Sequence, residues 1–252
     1  MGSMVKIDVY VMIHNEELML PYFLRHYKQY AQRIFAFEDE STDRSREILE
    51  AEPSVTILEV REHGIQELHW INELWPMYEK FSRGVADWVI QVDCDEFVYY
   101  PDLLSLLARE REVGVQVLTT EGYTMVADGM PTTQGQIYEE FKMGLPDRLS
   151  GKSCVFDPDI YLRFAPGRHS LKGLTDYTIR DYHSGLKMLH YRYLGEQYFE
   201  ERDKRNHVRG IMVSGKDTPY SRDIRHMQPD RTRGVRLDWY DQHKSEAKNV
   251  VD

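Results

Sequence analysis

Short apolar runs alternate with amphipathic stretches over the first 120 residues, and this alternation constrains the fold more than any other feature of the chain. The runs are Ile7 to Ile13 (IDVYVMI), Ile34 to Phe37 (IFAF), Val55 to Val60 (VTILEV) and Trp88 to Val92 (WVIQV). Most have the length of a buried strand and the near-continuous apolar character of one covered on both faces. Between them, Leu20, Phe23, Leu24, Tyr27 and Tyr30 recur at helical spacing. Asn15 is expected to cap that helix, with Glu16 and Glu17 in its first turn. Ser41-Thr42 is expected to cap a second helix carrying Ile48 and Leu49. Gly64 to Gly84 predicts a partly helical segment broken at Pro76, Leu103 to Arg111 a helix, and Val115 to Thr119 a further strand. A β-α-β-α order of this kind folds as a mostly parallel sheet with helices on both faces. The fold class expected is therefore α/β.

After residue 120 the pattern loosens. Gly151 to Phe156, Ile160 to Phe164 and Met188 to Tyr193 predict short strands, and Tyr198 to Val208 a helix. The chain has 252 residues, 41% hydrophobic and 29% charged, so it can bury a core without disulfides. Its two cysteines, Cys94 and Cys154, form no Cys-x-x-Cys pair, which argues against a zinc knuckle and for free thiols in a reducing compartment. No apolar run approaches the ~20 residues of a membrane span, and no basic-then-apolar leader opens the chain. A cytoplasmic protein, or one peripheral to the inner face of a membrane, is expected. The net charge of −10 excludes bulk-charge nucleic-acid binding. Residues 202–236 nevertheless hold ten Lys/Arg against four Asp/Glu. That basic tail is either a solvated surface or a lid that meets an anion.

In parallel α/β sheets, ligands bind beyond the carboxyl ends of the strands. His14-Asn15, Glu38-Asp39 and Asp93-x-Asp95 all fall at such ends. Alternate residues of an extended segment point the same way, so Asp93 and Asp95 are expected to face one side. Two adjacent carboxylates repel unless a cation compensates them, and oxygen ligands suit Mg2+ or Mn2+, with substrate phosphates and water filling other positions.

The segments HNEE at 14–17, FEDESTDRS at 37–45 and ADWVIQVDCDEFVYY at 86–100 resemble the family 2 type of nucleotide-sugar glycosyltransferase with the GT-A fold, in the branch whose metal motif reads Asp-x-Asp-Glu-Phe. The likeness continues more weakly through GKSCVFDP at 151–158, GRH at 167–169 and LHYRYL at 189–194. It implies a GT-A domain over residues 4–200, with a nucleotide half of about 4–100 and an acceptor half of about 101–200. Residues 201–252 then form an irregular basic extension or lid. The resemblance implies that Asp93 and Asp95 hold Mn2+ or Mg2+ and, through it, the donor diphosphate. It places Asp39 at the base or ribose and His14, Asn15 and Glu16 along the same nucleotide pocket. A late histidine completes the metal shell, His190 first and His169 second. Glu96 is expected to orient the metal site rather than ligate.

The reaction implied is transfer of a sugar from a nucleotide-diphosphate donor, UDP by analogy, to a glycan, lipid-linked glycan or other hydroxyl acceptor, with inversion. An inverting transfer needs a general base at the acceptor hydroxyl. Glu121, Asp128, Glu139, Glu140, Asp147 and Asp176 are candidates, and Asp176 is chosen for its place in a loop between His169 and His190. EHGIQELHWINELW at 62–75, with Gln66, His69 and Asn72, stands where many relatives carry an Asn/Arg-rich stretch. Trp70, Trp75, Tyr78 and Trp88 read as core. Tyr191, Tyr193, Tyr198 and Trp239 are core residues or platforms for sugar rings. Two other classes compete: a metal-dependent phosphohydrolase or nucleotidyltransferase using the same acids, and a non-catalytic module binding anions or nucleic acid.

Overall fold

The computed structural model describes residues 5–60, 70–164, 171–172, 179–180, 185–202 and 240–252. His169, Asp176, Gln66, His69, Trp239 and all of the basic tail beyond Arg202 lie outside the described residues. No described helix is long and apolar enough to cross a membrane.

The chain divides into two compact units. The described part of the first comprises 5–60, 70–123, 147–164, 171–172, 179–180 and 185–190. Its strands are β1 (Ile7–Ile13), β2 (Ala31–Glu38), β3 (Val55–Glu59), β4 (Trp88–Asp93), β5 (Glu96–Tyr99), β6 (Val117–Leu118), β9 (Val155–Phe156), β10 (Arg163–Phe164), β11 (Leu171–Lys172) and β12 (Ile179–Arg180), with β7 (Glu121–Ala127) and β8 (Met143–Pro146) between β6 and β9 in the chain. Its helices are α1 (Leu20–Tyr27), α2 (Ser45–Glu50), α3 (Tyr78–Phe81) and α4 (Leu103–Glu112). A seven-stranded sheet runs in the order β12-β6-β9-β4-β1-β2-β3. The β4-β1, β1-β2, β2-β3 and β12-β6 pairs are parallel, and β9 is antiparallel to both neighbours. The α/β class with a mostly parallel sheet is thus the observed one.

The strands form where apolar, β-branched runs were expected, and most core positions of β1, β2 and β4 are closed to solvent. One face of the sheet builds an aromatic core from Tyr10, Phe35, Phe37, Trp75, Tyr78, Val89, Phe156 and Phe164. Tyr10 stacks on Phe35 with ring centroids 4.7 Å apart. Trp88 is fully buried and its indole N–H donates to the Leu107 carbonyl at 3.2 Å, so the core reading of the tryptophans holds there.

Local caps differ from expectation. Asn15 does not cap α1, whose N-cap is Met19, because Asn15 takes a left-handed backbone (φ 54) and sends its side chain to another loop. Ser41 and Thr42 do not cap α2, which starts behind Arg44. The α4 helix is capped by Asp102, which accepts from the Ser105 N–H at 3.1 Å. The segment around Pro76 is a π turn (Trp70–Leu74), a 3-10 turn (Trp75–Met77) and then α3, with Pro76 in the first turn, where its missing N–H costs nothing.

The second unit comprises 124–146, 191–202 and 240–252 of the described residues. It holds α5 (Ile137–Glu140), β8 (Met143–Pro146) and β14 (Lys248–Asn249), with β8 and β14 antiparallel. Two strands, β7 (Glu121–Ala127) and β13 (Lys187–Leu194), have residues in both units. Tyr193 stacks between Phe199 and Tyr240 at centroid distances of 5.0 and 4.5 Å. Tyr191, Tyr193 and Tyr198 are all buried, which favours packing over a sugar platform.

Helix α1 fixes the strand that follows the acidic motif. The Tyr27 hydroxyl donates to the Glu96 carbonyl at 2.9 Å and accepts from the Val98 N–H at 3.0 Å. His26 is fully buried, donates from Nε2 to the Val98 carbonyl at 3.0 Å, and meets the Tyr30 hydroxyl at Nδ1. Burial lowers its pKa from 6.5 to about 3. The unfolded chain therefore takes the proton near pH 6.5 and the folded chain only near pH 3, so stability from this residue is full above 6.5 and declines as pH falls. A His26→Gln variant, which removes the titrating ring, is expected to flatten the pH dependence of urea-unfolding free energy in that window by up to about 1.4 kcal/mol per pH unit.

Candidate active site at the strand ends

Parallel register sets the site. Along β1, Met12 pairs with Asp93 of β4 and Ile13 pairs with Glu38 of β2. The next residues, His14-Asn15, Asp39 and Cys94-Asp95, therefore leave the sheet side by side. The order β4-β1-β2 also places β1 where the strand order reverses, which is where parallel sheets open a crevice.

On the β1-β2 side two loops are sewn together. His14 Nδ1 donates to the Asp39 carbonyl at 2.6 Å, and the Asp39 N–H donates to the Ile13 carbonyl at 2.9 Å. Asn15 Oδ1 accepts from the Thr42 and Asp43 N–H groups at 2.7 and 3.2 Å. In return the Asn15 N–H donates to Ser41 Oγ at 3.1 Å and the Glu16 N–H to Ser45 Oγ at 2.7 Å. Glu38 Oε1 accepts from the Ser41 N–H at 2.6 Å. Two non-glycine residues here, Asn15 and Glu40 (φ 48), are left-handed. Glutamate in that region costs roughly 1–2 kcal/mol, and such strain persists where surrounding bonds over-determine the backbone, as they do here. His14, Asn15, Glu16 and Asp39 are thus brought into one cluster.

On the β4 side the expectation of alternating carboxylates is corrected. Asp93 ends β4, Cys94 and Asp95 form a tight turn, and Glu96 opens β5. Asp95 and Glu96 are fully buried, whereas the Asp93 side chain is 37% exposed. The turn is held because the Asp93 N–H donates to Glu96 Oε2 at 3.0 Å. Phe97 packs against His26, with ring centroids 5.1 Å apart, which anchors the Asp-x-Asp-Glu-Phe segment in the core.

Four side chains complete the cluster from the 147–152 turn and β13. Lys152 is buried, forms a short ion pair with Glu96 Oε1 and reaches Asp93 Oδ2 at 3.3 Å. His190, paired antiparallel opposite Glu96, sets Nε2 3.1 Å from Asp95 Oδ2. Its Nδ1 lies 3.1 Å from Ser150 Oγ, which donates to Asp147 Oδ2 at 2.7 Å. Glycines make this turn possible. A Cβ on Gly122 would stand 2.1 Å from the Gly151 nitrogen and 2.2 Å from the Asp147 carbonyl oxygen.

Asp95 Oδ2 and His190 Nε2 have the spacing of two neighbouring ligands on an octahedral ion at about 2.1 Å from each. Among the described residues no group of three or more His, Cys, Asp or Glu side chains converges on one point. The pair could hold a divalent cation through one oxygen and one nitrogen. Asp93 is drawn toward Lys152. Lys152 pairs with both Asp93 and Glu96, and Asp95 with His190.

The candidate bases are occupied in various ways. Glu121 accepts from the Tyr123 hydroxyl, Asp147 from Leu149 N–H and Ser150 Oγ. In the second unit Glu139 closes a capping box on Gln136, Glu140 accepts from the Thr132 and Thr133 N–H groups, and Asp128 lines a cavity of about 350 Å³ with Tyr193, Tyr240 and Lys244. Lys152 and Ser150 escaped the sequence reading, which met Asp147 only as a candidate base. The only signal was GKSCVFDP, whose lysine carried no assigned role.

No family model matches the chain, and no curated protein does. Solved structures do. Residues 1–349 of S. aureus TarS match at 12% identity and a TM-score of 0.46, covering 92% of this chain and 72% of that one. The same protein in complex with UDP-GlcNAc matches at 13% identity and TM-score 0.45, over 86% of this chain and 69% of that one. Glucosyl-3-phosphoglycerate synthase from Mycobacterium tuberculosis, in complex with Mn2+, uridine diphosphate and phosphoglyceric acid, matches at 14% identity and TM-score 0.35, over 49% of this chain and 44% of that one.

Lys152→Met strands the buried Glu96 carboxylate and is expected to cost about 3–5 kcal/mol in urea unfolding. Adding Glu96→Gln is expected to recover more than half of that loss. A recovery near zero would show that Lys152 and Glu96 are not energetically coupled.

Proposed function

We propose that the chain is a nucleotide-sugar glycosyltransferase that uses a divalent cation to transfer a sugar to a hydroxyl acceptor with inversion. The observation that carries this reading is the acidic cluster at the point where the strand order reverses, with the buried Asp95 set against His190. The sequence resemblance to family 2 transferases falls on the segments that build it, HNEE, FEDESTDRS and ADWVIQVDCDEFVYY.

In this reading Asp95 and His190 would hold Mn2+ or Mg2+, with Asp93 beside them on Lys152. When bound, the cation supplies Lewis-acid stabilisation of the charge on the departing diphosphate. The protein's own groups do the rest. The cross-bonded His14-Asn15-Glu16 and Asp39 loops hold base and ribose in a rigid cradle, so little ordering is required on binding. Lys152 holds Asp93 and Glu96 in place. Asp176 remains the proposed base for the acceptor hydroxyl. UDP is the proposed donor nucleotide, and the acceptor class is a glycan, lipid-linked glycan or other hydroxyl compound. The basic tail is proposed to cover the donor.

Calorimetric titration of UDP, GDP, CDP and dTDP, with and without Mn2+, tests this. One diphosphate is expected to bind only with metal, and Asp95→Ala to weaken it by roughly 100-fold or more. Incubation with the matching nucleotide sugar is expected to release nucleoside diphosphate. Release of inorganic phosphate or pyrophosphate would instead establish the phosphohydrolase or nucleotidyltransferase class, and no diphosphate binding with metal present would sink the site assignment.

A further inference from the structure

In the relay Asp147–Ser150–His190–Asp95, the single proton of a neutral His190 has two places to sit, Nδ1 or Nε2. Ser150 has one hydroxyl proton and two neighbours that could take it, Asp147 Oδ2 at 2.7 Å and His190 Nδ1 at 3.1 Å. A carboxylate offers acceptors only, and an O–H to a carboxylate is shorter and about twice as strong as a neutral hydrogen bond. The shorter contact therefore takes the proton. Ser150 Oγ, its proton committed, can only accept from His190, so Nδ1 carries the imidazole proton. In the neutral ring Nε2 is then a bare lone pair, and it faces Asp95 Oδ2, another acceptor, at 3.1 Å. The two nitrogens of His190 have these two partners, Ser150 and Asp95.

We infer that Ser150, backed by Asp147, is the positioning residue that fixes His190 as its Nδ1–H tautomer and turns the Nε2 lone pair, with Asp95 Oδ2, toward one divalent cation. The inference rests on the cation proposed above and adds the residues that prepare its histidine ligand. Asp147 is well suited to the task. Its Oδ1 accepts from the Leu149 N–H at 2.9 Å, its carbonyl accepts from the Ser150 N–H at 3.0 Å, and its own N–H donates to Gly122 at 2.8 Å, so the carboxylate is pinned in the turn. Ser150 is buried, so water does not compete for its hydroxyl. The competing arrangement, Ser150 donating to Nδ1 and Nε2–H donating to Asp95, would press two oxygen lone pairs together at 2.7 Å beside the Asp147 charge.

Nuclear magnetic resonance of the full chain with 15N-labelled histidine reads the tautomer directly, with the His190 signals assigned through His190→Gln. The wild type is expected to show Nδ1–H, and Ser150→Thr, which keeps the hydroxyl, to match it. Ser150→Ala is expected to lose the single tautomer while its backbone spectrum stays folded. Asp147→Asn can donate to Ser150 Oγ, which frees the serine proton for Nδ1 and is expected to switch the ring to Nε2–H. Mn2+ binding, followed by electron paramagnetic resonance alone and with UDP, is expected to weaken about 10-fold or more in Ser150→Ala and to be kept in Ser150→Thr. Nε2–H in the wild type, or Nδ1–H unchanged in Ser150→Ala, would overturn the inference. A wild type that holds Nδ1–H yet takes up no Mn2+ under either condition would overturn the cation reading beneath it, separately from the tautomer.

Discussion

The parallel pairing of β1 with β2 on one side and β4 on the other decides where the chemistry can sit. Each strand sends alternate residues to opposite faces, so the register that seats Tyr10 on Phe35 in the aromatic core also fixes which residues emerge at the strand ends. A slip of one residue would move Tyr10, Phe35 and Phe37 to the wrong face. It would also separate His14, Asp39 and Asp93 by a residue's rise of about 3.3 Å. The accuracy of the polar cluster is thus inherited from apolar packing, which is stronger in sum than any of its hydrogen bonds.

Helix α1 extends that control to the acidic turn. Its Tyr27 and His26 bind the backbone of β5 on both sides of Phe97, so Asp95 and Glu96 are held from behind as well as from β4. This explains why the motif ends in Glu-Phe in physical terms. Phe97 is the anchor in the core, and Glu96 closes the turn through the Asp93 N–H while receiving Lys152.

What the sequence made legible follows from the range of the forces involved. Strands β1, β2 and β4 were legible because burial leaves an apolar run that no other element explains, whereas β5 was not read as a strand. The strand-end positions of His14, Asp39 and Asp93 followed from them. Asn15 was misread as a helix cap because its partners, Thr42 and Asp43, lie on another loop, and a local rule sees only neighbours. Asp95 was misread as extended because the turn at Cys94 carries no Gly or Pro; the Glu96 carboxylate and the anchored Phe97 bend the chain instead. Lys152 was not legible at all. Its partners are 56 and 59 residues away, and a lysine between small polar residues gives no sign of which acids it will meet. His190 was reachable through its resemblance context, but Ser150 and Asp147 behind it were not, since their function depends on the direction of one hydroxyl proton.

On the function proposed above, the electrostatics of the site would couple cation and donor. Asp93 and Glu96 pair with Lys152 and Asp95 with His190, so an arriving diphosphate would meet carboxylates at close range. A single like-charge contact at about 4 Å costs roughly 4 kcal/mol at an effective dielectric of 20, enough to abolish useful affinity. Were a divalent ion held at Asp95 and His190, it would offset that repulsion. Each partner would then raise the affinity of the other by an equal factor, because linkage between binding sites is reciprocal. Lys152 would moderate that coupling, since its ammonium already answers Asp93 and Glu96. The ion alone would then bind loosely, and ion and diphosphate together more tightly.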